Sequence, residues 1–431
     1  MDYKGQPQKY GRTVFWLFTL VMLAKYNIYI GFALKPYMVF CILFFIIHIG
    51  SFYFQRLHLF EAAMLLFYLM YSYTGAFALY PGSSARIIVG ILLYICCYFI
   101  IRYIIGRAND LAIKNAIGNV GILFNSASLI LYVIGLKGVS FVFDGDRISQ
   151  YGVMVDRNYP RLIGLLQDPN FFVFYNTLFF CYYLSNFESK KNKIGLILCI
   201  LTNLLTFSRG GILVIMFLFI INLFLTNPFN KLKMIVSLSF SFLVVGYVAI
   251  YVMKFDFLSI LQSRLDDTSE DGGSGRLTLW GRAWDYFNSD ILVGIGAFNF
   301  SDYNLFENGD PLTAHNTYLD ILAESGLVGF ISYSLFILLV FIKIIQMNIH
   351  RKNPYLFLTF LGFVLQMGFL SVIINDIFFL YLAILSAYLH HLYANERDRA
   401  NQHSFNAQRA DPTGHLSKGG IAFYERFTVN R

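Results

Sequence analysis

Apolar runs of about 20 residues recur from residue 13 to residue 392, separated by short segments of Lys, Arg, Gly, Pro and Asn. Each run is long enough to cross about 30 Å of hydrocarbon, and no water-soluble core could absorb so many. They fall near 13–33, 36–54, 59–81, 87–106, 115–136, 169–186, 193–208, 210–226, 233–253, 318–346, 354–372 and 375–392. The pattern predicts an all-α polytopic membrane protein with about 12 transmembrane helices. Charged residues are 13% of the chain, against about 25% in soluble domains. A soluble enzyme and a disordered chain are both excluded, and with 46 Phe and 30 Tyr much of the lipid-facing and interfacial surface is expected to be Phe and Tyr.

The net charge of +8 does not point to nucleic acid, because the cations are scattered between apolar spans rather than gathered on one surface. Cys41, Cys96, Cys97, Cys181 and Cys199 all lie inside apolar runs, where they act as small hydrophobes and offer no disulfide framework or metal site. The start, MDYKGQPQKYGR, is polar and basic and is followed by an apolar run without a small-residue cleavage site, so the first span is expected to be retained. With both termini cytoplasmic, Lys and Arg concentrate in the short inside connections, for example Arg102, Arg107 and Lys114, or Lys190, Lys191 and Lys193. The positive-inside rule therefore favours this orientation.

Two outside segments are then long, about 137–168 and about 254–317, and function is expected there. Four units follow: an N-terminal transmembrane bundle over 1–253 with the outside loop 137–168, a large outside loop over 254–317, C-terminal transmembrane helices over 318–392, and a weakly ordered cytoplasmic tail over 393–431. Within the large loop, DDTSEDGGSGR reads as a surface loop and RLTLWGRAWDYF as an amphipathic helix.

Residues able to carry chemistry cluster outside. Arg209 in LTFSRGG stands at a tight turn at the membrane boundary. Its guanidinium can fork onto phosphate oxygens while Gly210 and Gly211 let backbone donors approach; a snorkelling interfacial arginine is the plainer reading. Arg276 and Arg282 could lie on neighbouring faces of the loop helix, or be solvated and balanced by Asp285 and Asp290. Arg161 precedes Asp168-Pro169-Asn170, a helix start in which Asp caps and Pro is tolerated, and Asn170 could meet a sugar hydroxyl. His315 enters a span from the large loop; a neutral imidazole there can take a proton from an attacking hydroxyl, or merely bind loop backbone. Asp320 and Glu324 share a helix face below it, and Asp376 is a weaker candidate of the same kind. Asp144-Gly145-Asp146 has the form of a metal-holding DxD but reads as a turn. No Walker loop, GxGxxG or HExxH occurs.

SRGG at 208–211, RLTLWGRAW at 276–284 with LVGIGAFNF at 292–300, and HNTYLDILAESGLVG at 315–329 come in an order that resembles the O-antigen ligase and polymerase superfamily of integral-membrane glycosyltransferases. The upstream R-x-x-G-x-x-x-D-P-N at 161–170 is similar to its members too, so the resemblance spans about 160–330. It implies a metal-independent, cofactor-free GT-C-like transferase acting at the periplasmic face of the bacterial inner membrane on undecaprenyl-diphosphate-linked oligosaccharides, both donor and acceptor. By the same resemblance His315 is the general base, with Arg209 and Arg276 catalytic. Arg282, Arg161, Asn170, Asn316, Tyr318 and Glu324 are expected to bind substrate. A chain-length regulator and a flippase are the implied protein partners, beside membrane lipid. A polysaccharide polymerase is favoured over a ligase to lipid A core. A twelve-span transporter or flippase shares the gross plan, but the central connection NFESKKNK is short for one.

Overall fold

The computed structural model describes residues 10–29, 32–143, 148–156, 159–226, 231–233, 235, 236, 239, 246, 247 and 275–410, with backbone alone for 395 and 397–410. Thirteen helices of nine residues or more are described: α1 (Gly11–Met22), α2 (Pro36–His48), α3 (Leu59–Thr74), α4 (Pro81–Gly106), α5 (Asp110–Gly138), α6 (Pro169–Ser185), α7 (Lys190–Leu205), α8 (Arg209–Leu225), α9 (Arg276–Ser289), α10 (Phe300–Asn308), α11 (Thr317–Gln346), α12 (Pro354–Gln366) and α13 (Asp376–Ala410). The chain is mostly helical, and eleven of the twelve expected apolar runs hold a helix. Most of the run 233–253 lies outside the described residues, as do the Asp144–Asp146 triplet, most of DDTSEDGGSGR and the tail from 411 onward.

Four helices among the described residues are long and apolar enough to cross a membrane: Pro81–Gly106, Asp110–Gly138, Thr317–Gln346 and Asp376–Ala394. The other apolar helices are shorter. α1, with 12 residues, rises only about 18 Å at 1.5 Å per residue. The expectation of about 12 membrane-crossing helices therefore stands at four by length and composition.

The fold is not purely helical. In the segment 137–168 an antiparallel meander forms from β3 (Ile148–Gln150), β4 (Val153–Asp156) and β5 (Tyr159–Leu162); Val153 pairs with Leu162 and Met154 with Arg161. A hairpin of β1 (Ile28–Tyr29) and β2 (Ala33–Leu34) follows α1. These strands of two to four residues are too short for an alternation signal to emerge from sequence. The meander persists because Val153, Met154 and Val155 are all buried and because it packs on α5 and α7. α13 also departs from the reading, running to Ala410 through a charged stretch without Gly or Pro, a composition that tolerates helix.

Most of the core is one cluster contributed by α1 to α8 and α11 to α13, and a smaller second cluster joins Ala283, Tyr286, Phe300 and Ala323 of α9, α10 and α11. α6 lies at its centre, packed by α7, α8 and α12 and buried along almost its whole length. α3 packs on α11, and α4 on α13. α9 buries Leu279, Ala283, Tyr286 and Phe287, the i, i+4, i+7, i+8 stripe of an amphipathic helix, against α11. The site therefore sits where the helix starts of α6, α8 and α11 meet α9.

Candidate functional site

Two helix N-termini are tied together at the site. Asp168 caps α6, its Oδ1 accepting from Asn170 N at 2.7 Å and Phe171 N at 3.2 Å, and Pro169 occupies the first turn as expected. Between α7 and α8 the chain reverses through Phe207, which has φ +50°. Ser208 then caps α8, its Oγ accepting from Gly211 N at 3.3 Å and donating to Asn170 Oδ1 at 2.7 Å. Gly211 is required by crowding: a Cβ there would stand 2.8 Å from Val173 Cγ1. Helix N-termini carry partial positive charge and favour anions, so bringing two of them together concentrates that preference.

Asn170, Ser208, Gly210 and Gly211 form one wall of a narrow cleft open to solvent, closed by Arg276 from α9 and by Gln366, Phe369 and Leu370 at the end of α12. Burial draws the Arg276 guanidinium below its ordinary pKa; the nearby Asp168 opposes this, and Arg161 and Arg209 add to it. Three guanidinium groups thus feel one another's fields. Arg161 is held on β5, with Nε donating to Thr206 O at 3.1 Å and Nη1 3.3 Å from Asp156 Oδ2. Among the described residues two carboxylates accompany these arginines, one paired with Arg161 and the other bound into the α6 cap, and arginine stays protonated at any working pH.

His315 lies on the segment leading into α11. It is half-buried and has φ +49°, an uncommon backbone for a non-glycine residue. Its neighbours hold that conformation from three sides. Trp280 Nε1 on α9 donates to Ala314 O at 3.1 Å, and Ala314 N donates to Asp320 Oδ1 at 3.0 Å. Thr317 N donates to Met367 O at 2.8 Å and to Leu370 O at 2.9 Å. Thr313 and Ser371 join through their hydroxyls at 2.8 Å. The segment carrying the imidazole is therefore stitched on one side to the helix that carries Arg276 and on the other to the 367–372 stretch that walls the cleft. Strained backbone of this kind persists only when its surroundings over-determine it.

The remaining candidates are placed differently. Asn316 caps α11, accepting from Tyr318 N at 3.1 Å and Leu319 N at 3.3 Å. Tyr318 OH donates to Val364 O at 2.6 Å. Glu324 is buried away from the cleft, where it accepts from Tyr71 OH and from Phe300 N at 3.2 Å. Arg282 Nη1 donates to Asn304 Oδ1 at 2.6 Å and lies 3.9 Å from Asp310 Oδ2, which fastens α9 to α10. The structure brings Asn170 and Arg276 into one cleft, with Arg161 and Arg209 in electrostatic reach. Arg282 and Glu324 are engaged in packing instead. Gln366, Ser208 and Phe369 were not singled out by sequence; a lone Gln inside the apolar run 354–372 was the available signal, since polar groups at membrane depth are costly. Among the described residues no three His, Cys, Asp or Glu side chains gather as a metal-binding group.

Residues 194–334 match the family model described as O-antigen ligase. That stretch is less than half of the chain; it contains Arg209, Arg276, Arg282, His315, Asn316, Tyr318 and Glu324, while Arg161 and Asn170 precede it. Over this stretch the chain is similar to that family of glycan-assembly proteins. No curated protein matches the chain.

Proposed function

We propose that this protein is a membrane glycosyltransferase that joins undecaprenyl-diphosphate-linked repeat units into a polysaccharide at the outer, periplasmic face of the bacterial inner membrane. The observation that carries the reading is the cleft bearing Arg276, in the field of Arg161 and Arg209 and flanked by two helix N-termini, within reach of apolar helices that could admit a polyprenyl chain. A partly buried, arginine-bearing cleft among apolar helices is suited to a lipid diphosphate, and a stretch similar to O-antigen ligases crosses it.

In the proposed reaction the acceptor hydroxyl oxygen attacks the anomeric carbon of the donor glycan. Its proton passes to the His315 imidazole as the new glycosidic bond forms. The bond from the anomeric carbon to the diphosphate oxygen breaks with its electron pair, and the departing undecaprenyl diphosphate is stabilised by Arg209 and Arg276, with Arg161 adding to the field. Cations aimed at charge that develops in the transition state are worth more inside a water-poor site than in bulk. The same residues would serve transfer to lipid A core, so ligation is the second reading, supported by the description of the matching family.

A gel of surface and lipid-linked glycans from a deletion strain, complemented with wild type or with His315→Ala, tests both. Single repeat units in the deletion, extended to a ladder by wild type but not by His315→Ala, are the expected result. Full-length chains stranded on carrier lipid, with bare core, would assign the ligase reaction. An unaltered ladder in the deletion strain would remove the protein from this chemistry.

A further inference from the structure

Gln366 ends α12 with a side chain only 2% exposed. Its Nε2 donates to Thr177 Oγ1 at 2.6 Å and to Gly362 O at 3.1 Å. Because a backbone carbonyl can only accept, the second bond fixes which end of the amide is nitrogen. The Oε1 atom is thus a defined acceptor, and among the described residues no donor meets it. A buried acceptor without a donor is unfavourable, and native proteins rarely keep one without a reason. Gln366 lines the same cleft as Asn170, Ser208, Arg276, Phe369 and Leu370.

The mix of groups on that cleft narrows its ligand. Arg276 suits a phosphate oxygen. Neutral amides and a hydroxyl suit alcohol groups, and Phe369 with Leu370 offers an apolar face to the C–H side of a ring. The enclosed part of the cleft has room for about one water-sized group and the rest is open to solvent, so it takes a hydroxyl of a longer molecule lying across its mouth rather than a whole ligand. Resting on the glycosyltransferase reading above, we infer that this cleft is the subsite for the sugar bonded directly to the diphosphate, with Gln366 Oε1 accepting a hydrogen bond from one of its hydroxyls. Gln366 thereby acts as a specificity residue, and the Thr177 and Gly362 bonds hold its amide in register.

The test uses the full chain in lipid vesicles, the repeat unit recovered on carrier lipid from the deletion strain, and analogues of it deoxygenated singly at each hydroxyl of the phosphate-linked sugar. Wild type should lose about tenfold or more in kcat/KM on one analogue, the factor expected for one lost hydrogen bond with its partner left unmet. Gln366→Leu and the volume-conserving Gln366→Met should lose a similar factor on the complete donor and nothing further on that analogue. Thr177→Val, which removes one of the two bonds holding the amide but leaves Oε1 and the Gly362 bond, should weaken the discrimination on that same analogue without abolishing it. Equal losses by the Gln366 variants on every analogue, or a wild type indifferent to all of them, overturns the assignment and leaves the glycosyltransferase reading standing. If the Gln366 variants do not fold, the wild-type analogue series and Thr177→Val decide alone. No turnover of any donor by wild type overturns both.

Discussion

Residues of one type do unlike work here, and the arginines show it best. Arg276 opens α9 at the cleft and Arg209 opens α8, whereas Arg282, two turns further along α9, grips Asn304 and Asp310. Arg209→Lys and Arg276→Lys keep the charge but lose the planar fork, so each should cut polymer formation by about 10²-fold, the scale of removing one aimed donor, with the unfolding midpoint unchanged. Arg282→Gln should do the reverse, lowering the midpoint while leaving turnover per folded molecule within a few-fold. Assaying both quantities on all three variants separates the two roles; equal activity losses at the three positions would refute the division. At this scale the sequence disclosed the candidates but not their sorting. Arg276 and Arg282 are six residues apart in one amphipathic segment, and only the packing of α10 tells them apart.

At the scale of elements, α11 contains a break that the sequence conceals. Gly326 has φ +56° and ψ −155° inside the helix, and a Cβ there would meet the Leu292 carbonyl at 2.4 Å. The break turns backbone N–H groups outward: Leu327 N donates to Ile291 O at 2.9 Å and Val328 N to Leu292 O at 3.2 Å, while Ile295 N returns a bond to Ala323 O at 3.0 Å. The LVGIG and ESGLVG motifs are therefore two halves of one clip that fixes the loop after α9 to α11. Gly326→Ala combines forbidden backbone with a collision and should destabilise the protein by at least about 1–3 kcal/mol, read as a lowered unfolding midpoint and faster proteolysis near 290–296. A midpoint equal to wild type would show that the clip is dispensable. The helix start at Asp168-Pro169 and the amphipathic α9 were legible because caps and periodicity are local signals. The clip and the meander were not, because short, paired segments take their stability from neighbours distant in the chain.

The whole bundle is crossed by polar ties among apolar helices. Asp376 at the start of α13 is 3% exposed; it accepts from Lys35 Nζ at 2.6 Å, Tyr37 OH at 2.7 Å and Tyr175 OH at 2.8 Å, joining α2, α6 and α13. Lys35→Met strands a buried carboxylate and should cost about 3–5 kcal/mol. The double variant Lys35→Met, Asp376→Leu should recover only part of that loss, because it removes the stranded charge but leaves the buried Tyr37 and Tyr175 hydroxyls without their acceptor. A single variant as stable as wild type in detergent would contradict the burial of this pair. Hydropathy revealed that the molecule is a bundle of apolar helices, but not which helices touch, since every run looks alike to a hydropathy window. The cleft is built from positions 170, 208–211, 276 and 366–370, four stations spread over half the chain and fastened by backbone bonds rather than by one local motif. On the reading proposed above, grafting the matched segment 194–334 alone should not transplant specificity: a functional chimera has to inherit residues from about 161 to 376 as a single cassette, with its crossovers placed in the connections outside that block.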